Sequence, residues 1–259
     1  MEKTIKEEVI PGCEAFHKEK GSVACLLIHG LCGSPYEVSK LSDYLNVHNY
    51  TTRAPLYPGH GTKGKIMDKY GWKDWYHEVE KNFLELTINY PQVYVIGFSA
   101  GGAIALKLAA KYKIEKLVAV STFIFVRHRW YYLLKPETYL NTVGKFFNYL
   151  PTIPPPNLDD PIERKAYIRV KHISLNTIRN AFGLIDNVRK NLFKVTAPIL
   201  IIHSKKDITT CPSGSEFIYE NVSSDKKEIV WLNKSNHLVL LDYEKEFVFE
   251  KIKEFLEKD

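Results

Sequence analysis

"VYVIGFSAGGAIALKLAAKY", residues 93–112, carries an apolar run into an alanine-rich run through a serine set among glycines. Val93, Tyr94, Val95, Ile96 and Phe98 are β-branched, aromatic or otherwise apolar, and a run of this length and composition predicts a buried strand. Ile104, Leu106, Leu108 and four alanines among residues 103–110 predict a tightly packed helix. Ser99 therefore stands on a strand-to-helix turn. Gly97 and Gly101 remove side chains where so sharp a turn would clash, and Gly102 lets the helix approach its neighbours. Such a turn lifts the Ser99 hydroxyl above the sheet edge. It also leaves the Ala100 amide at a helix N-terminus, where backbone donors favour a developing negative charge.

A serine placed in this way becomes a nucleophile only with a base, and the base needs an orienting carboxylate. On a Gly-x-Ser-x-Gly turn the expected chain order is Ser, then Asp or Glu, then His. "APILIIHSKKDITTCPSG" predicts a strand from Pro198 to about His203, with Asp207 in the loop just past its carboxyl end, where open parallel sheets build their sites. "KKEIVWLNKSNHLVLLD" predicts another strand over 228–232, with His237 in the loop behind it. Asp207 and His237 thus follow successive strands in the required order. Among nine histidines, His29 and His203 fall at predicted strand ends and His77 on a helix. His17, His48, His128 and His172 follow no strand end downstream of the acid. None fits the base as well as His237. An acid one strand earlier is ruled out because no Asp or Glu follows "KLVAVSTFIFVRHRW" until Glu137.

A developing oxyanion needs backbone donors, and "VACLLIHGLCGSPYEV" supplies a candidate loop. Residues 23–28 form an apolar strand, His29-Gly30 opens the loop, and the Leu31 amide is expected to join that of Ala100 as the oxyanion hole. Ser34, Pro35 and Glu37 read as a capped helix start, with Ser34 as N-cap, Pro35 in the first helical position and Glu37 closing a capping box. Val38, Leu41 and Leu45 follow at helical spacing.

These segments carry a resemblance that runs nearly end to end. The "HG" loop at His29-Gly30, "YPGHGT" at 57–62, the helix "WKDWYHEVEKNFLEL", "GFSAGG", "HSKKD" and "SNHLVLLDYEKEFVFEKIKEFLE" resemble the small bacterial carboxylesterase and monoacylglycerol lipase family of α/β-hydrolases. The resemblance implies an α/β-hydrolase fold: a mostly parallel central sheet, helices on both faces and an inserted lid. It also implies a serine carboxylesterase acting on short-to-medium acyl esters or monoacylglycerols through Ser99, Asp207 and His237, with no cofactor. Feruloyl or cinnamoyl esterases, and other acyl-transfer or C–C hydrolases, could use the same residues. A ligand-binding protein on an inactive hydrolase fold would be expected to lack part of the triad. Ala100 and Cys32 depart from residues common at their positions in such proteins, which bears on acyl preference.

With 259 residues, 45% of them hydrophobic, the chain can bury one sizeable core, and its strand and helix signals alternate throughout. The net charge of +6 comes from 36 basic and 30 acidic residues spread along the chain, without the clustering that nucleic-acid binding requires. Cys13, Cys25, Cys32 and Cys211 lie far apart with no C-x-x-C spacing, which predicts reduced thiols in the cytoplasm and no metal site. "MEKTIKEEVIPG" lacks the apolar segment of a signal peptide, and the longest apolar runs are too short to span a membrane. The alternation breaks over residues 123–174, expected to be an inserted lid between core segments 1–122 and 175–259. Nine aromatic residues fall within 123–149, against 13% of the whole chain, which suits the wall of an acyl or aryl pocket.

Overall fold

The computed structural model describes residues 8–62, 66–126, 149–151, 157–168 and 172–258. Its strands are β1 (Phe16–Lys18), β2 (Val23–Ile28), β3 (Tyr50–Ala54), β4 (Gln92–Phe98), β5 (Leu117–Val120), β6 (Tyr149–Pro151), β7 (His172–Ser174), β8 (Ile199–Ser204) and β9 (Lys227–Leu232). The helices are α1 (Tyr36–Val47), α2 (Trp72–Asn89), α3 (Ala100–Ala109), α4 (Pro161–Ala166), α5 (Leu175–Arg189), α6 (Ser213–Asn221) and α7 (Lys245–Glu257).

Seven strands form one sheet in the order β1-β3-β2-β4-β5-β8-β9, and every pairing is parallel except that of β1 with β3. The order follows from burial on both faces. Alternate residues of each central strand enter opposite cores: Leu26, Val95, Leu117 and Ile199 face one, while Leu27, Tyr94, Val118 and Leu200 face the other. Helices α2, α3, α5 and α6 cover the first face through residues such as Trp75, Ile104, Leu184 and Ile218. Helices α1 and α7 cover the second through Leu41, Leu45, Val248 and Ile252. The chain leaves β2 toward β3 on one side, then crosses to β4 on the other. The carboxyl ends of β2 and β4 thus stand where the strand order reverses, the position at which open α/β sheets gather their sites.

Helix α1 starts one residue later than a Ser34 cap would give. Pro35 is its N-cap, with no side-chain capping bond, and the Ser34 hydroxyl lies 3.4 Å from the Tyr36 amide. Glu37 does not close a capping box but turns into the protein, where a buried backbone N–H offers a charge-assisted bond that water cannot compete for.

Most of the expected lid, including residues 127–148 and 152–156, lies outside the described residues, and with it most of the aromatic stretch. The described residues between β5 and α5 are tied down. Strands β6 and β7 pair antiparallel, with Tyr149 opposite Ser174. Asp160 caps α4 by accepting from the Ile162 and Glu163 amides, and Leu158 is fully buried in the core beneath α1 and α7. Among the described residues no helix is long and apolar enough to cross a membrane.

Candidate active site

Ser99 sits between β4 and α3 with φ 55° and ψ −118°, a backbone state that a residue with a Cβ adopts at a cost of about 1–3 kcal/mol. The surroundings hold it there. Its N–H donates to Val120 O at 2.9 Å, and its carbonyl accepts from the Gly102 and Phe123 amides at 3.0 and 3.1 Å. The glycines permit the approach: a Cβ on Gly101 would fall 2.2 Å from Ile28 O, and one on Gly97 would fall 2.4 Å from Gly101 O. Helix α3 can therefore seat its first turn directly on the end of β2.

His237 and Asp207 converge on this serine from the ends of β9 and β8. His237 Nε2 lies 3.0 Å from Ser99 Oγ, and His237 Nδ1 lies 2.7 Å from Asp207 Oδ2. Asp207 is fully buried, while Ser99 and His237 keep 9% and 7% of their surface exposed, enough to meet a small reactant. Asp207 Oδ1 accepts from the Thr209 and Thr210 amides at 2.7 and 2.9 Å, and Oδ2 accepts from the Thr210 hydroxyl at 2.7 Å. Burial alone would push this carboxyl up. The charge of His237, hydrogen bonds from His203 and His237, and the charge of His203 overcome it, so the group is held well below the usual carboxylate range. It is therefore held as a carboxylate beside His237.

The same acid meets a second imidazole. His203, the fifth residue of β8, places Nε2 3.2 Å from Asp207 Oδ2 and Nδ1 2.7 Å from the Ser215 hydroxyl. Ser215 can donate to Nδ1, which leaves the Nε2 proton for the carboxylate. In the sequence His203 stands only among the competing bases. Its signal was the His-x-x-x-Asp spacing across a strand end.

The His237 loop is braced by residues that the pattern of Ser, Asp and His does not reveal. Asn236 Oδ1 accepts the His237 amide at 2.9 Å, and buried Asp242 accepts the Asn236 amide at 2.8 Å and the Asp160 amide at 2.9 Å. The loop carrying the imidazole is thus tied to the start of α4.

Ala100 follows the serine directly in the chain, and the loop carrying Leu31 approaches it through Gly30. Ala100 opens α3, so its N–H has no preceding helical carbonyl to bond. Leu31 follows Gly30, whose added Cβ would lie 3.2 Å from Ser99 Cβ. Cys32 has φ 60°, its Sγ lies 4.0 Å from Met67 Sδ, and burial pushes its thiol up to about 12, which makes it a poor nucleophile at neutral pH. Among the described residues no three His, Cys, Asp or Glu side chains group as metal ligands. A cleft of about 300 Å³ that includes Lys107, Lys111 and Lys194 opens toward the far end of α3, away from Ser99.

A strained serine after a central strand, an acid and a histidine after later strands, and this parallel sheet define an α/β-hydrolase. The chain belongs to the Hydrolase_4 family, described as serine aminopeptidase, S33, whose model matches residues 19–244. It is similar to a carboxylesterase of Bacillus subtilis (strain 168), at 28% identity over 239 residues, covering 92% of this chain and 94% of the relative. A thermostable monoacylglycerol lipase of Bacillus sp. (strain H-257) is 28% identical over 251 residues, covering 96% of each chain. A solved structure described among "LipS and LipT, two metagenome-derived lipolytic enzymes" superposes with a TM-score of 0.89 at 24% identity, covering 97% of this chain and 100% of its own.

Proposed function

We propose that this protein is a serine carboxylic ester hydrolase of the carboxylesterase and monoacylglycerol lipase type. The observation that carries the reading is the relay from Ser99 Oγ to His237 Nε2 at 3.0 Å and from His237 Nδ1 to Asp207 Oδ2 at 2.7 Å. His237 Nε2 takes the hydroxyl proton as Ser99 Oγ attacks the ester carbonyl, and Asp207 stabilises the resulting imidazolium. The Leu31 and Ala100 amides receive the oxyanion. Collapse of the tetrahedral species breaks the ester C–O bond, and His237 returns its proton to the departing alcohol. Water, deprotonated by the same nitrogen, then attacks the acyl-enzyme; the bond to Ser99 Oγ breaks, His237 returns the proton to that oxygen, and the acid departs. No step draws on a cofactor.

The substrate class is the finer part of the proposal. Short-to-medium acyl esters and monoacylglycerols are supported by the names of the two bacillar relatives, each matched over nearly its whole length. The family description raises peptide hydrolysis as the second reading. An aminopeptidase must hold a terminal ammonium, and the buried carboxylate Glu37 has both oxygens engaged by Gly30 and Tyr167. Free thiols at Cys13, Cys25, Cys32 and Cys211 support the cytoplasm as its compartment.

The test is a panel of p-nitrophenyl esters of graded acyl length, monoacylglycerols, hydroxycinnamate esters and aminoacyl anilides, run on wild type and Ser99→Ala. The expected result is turnover of short-to-medium esters and monoacylglycerols, lowered about 10⁴-fold or more in the variant. Anilide turnover exceeding ester turnover contradicts the substrate class.

A further inference from the structure

Glu37 occupies a place where a helix start usually meets water, yet it is only 4% exposed. Its Oε2 accepts the Gly30 N–H at 2.8 Å, and its Oε1 accepts the Tyr167 hydroxyl at 2.5 Å. The Gly30 N–H and the His29 carbonyl belong to one peptide group, and the Tyr57 hydroxyl donates to that carbonyl at 2.6 Å. This peptide is therefore gripped at both ends, by Glu37 on one side and Tyr57 on the other. In the next peptide, Gly30 O accepts from His29 Nδ1 at 2.9 Å and from the Gly33 amide at 3.3 Å. The N–H of a trans peptide points opposite to its carbonyl, so the Leu31 N–H is aimed away from those two donors. A Cβ built on Gly30 would lie 3.2 Å from Ser99 Cβ and 3.1 Å from Glu37 Oε2, so the loop rests on the nucleophile with Glu37 close behind it.

We propose that Glu37 is a positioning residue for acyl transfer: its grip on the Gly30 amide sets the aim of the Leu31 N–H, and Tyr167 ties that grip to the segment leaving the insertion. The inference rests on the ester-hydrolase reading of Ser99. Burial raises the Glu37 carboxyl, while the bonds from Tyr167 and Gly30 and the charge of His237 pull the other way, which places the group within electrostatic reach of the catalytic imidazole. The task needs an acceptor oxygen at the right distance, and a negative charge is not required. Glutamine keeps that oxygen at the same reach, and its amide can donate to the Tyr167 oxygen. Aspartate keeps the charge but is one methylene too short to hold Gly30.

The two conservative variants therefore separate reach from charge. Steady-state hydrolysis of a soluble p-nitrophenyl ester is measured for wild type, Glu37→Gln, Glu37→Asp and Ser99→Ala. The expected result is that Glu37→Gln keeps kcat within about 3-fold, while Glu37→Asp loses about 10-fold to 100-fold in kcat with KM changed less than about 3-fold. A loss of that size fits a misaimed donor, which should cost less than the roughly 10²- to 10³-fold of a deleted one. Glu37→Asp retaining wild-type kcat, or outperforming Glu37→Gln, overturns the inference. Ser99→Ala inactive in the same assay confines that failure to Glu37, whereas activity surviving in Ser99→Ala contradicts the underlying ester-hydrolase reading.

Discussion

Asp207 is a fully buried carboxylate whose charge is matched by two backbone amides, a threonine hydroxyl and two imidazoles. A carboxyl held below its ordinary value contributes stability that is complete above the unfolded value, near pH 4, and is lost as pH falls further toward the folded value. Asp207→Asn is therefore expected to unfold about 2–8 °C below wild type at pH 7, as the loss of about 1–3 kcal/mol from charged hydrogen bonds implies for a chain of this size. The gap should narrow below about pH 4, where wild type loses the same charge. Thermal melts of both proteins from pH 3 to 8 check this, and a gap that widened in acid would contradict it. At this scale the sequence was legible where chemistry imposes an order: Ser99, Asp207 and His237 follow from residue type and chain position. Glu37 and His203 were not, because their partners are a backbone amide seven residues away and a carboxylate already assigned to another histidine. A Ser-Pro-x-Glu pattern reads as a cap unless the tertiary structure offers its carboxylate a better donor.

Elements carry these residues to one point by close approach. The seat of α3 on β2 depends on the missing side chain at Gly101, where a methyl group would meet Ile28 O at 2.2 Å and His29 O at 2.4 Å. Gly101→Ala is expected to push the first turn of α3 outward and misplace both Ser99 and the Ala100 amide, lowering kcat about 10²-fold or more, since even a 1 Å misplacement can cost that much. Ester kinetics beside a far-ultraviolet spectrum check this: wild-type kcat in a folded variant would show that the approach is not needed. Strand and helix identities were legible from periodicity, as with β2, expected over 23–28 and observed as Val23–Ile28. The insertion was less so. Its described pieces are short, with α4 six residues long and β6 and β7 three each, and they are set by contacts such as Asp160 with Asp242. Local periodicity cannot register contacts across 82 residues.

Across the whole molecule, a doubly covered sheet holds the serine, acid and histidine at the ends of three strands, all parallel. Among the described residues, β6 and β7 form a two-stranded sheet separate from that layered plan. In the sequence between β5 and β6, Arg127, Arg129, Lys135 and Glu137, all outside the described residues, stand among the aromatic residues, a composition that disfavours a large apolar face for docking on an oil droplet. Emulsified long-chain triacylglycerols are therefore expected to be poor substrates, with no rise in rate as the solubility limit is crossed; a sharp rise there would mark an interfacial lipase. Whether Ser99 is the nucleophile is read by intact and peptide mass spectrometry after reaction with a fluorophosphonate, with residual ester hydrolysis followed in parallel. The expected result is a single adduct, mapped to Ser99, that forms in step with the loss of activity and is absent from Ser99→Ala and strongly slowed in His237→Ala. An adduct on another serine or on Cys32, or ester hydrolysis that persists after Ser99 is fully modified, would contradict it.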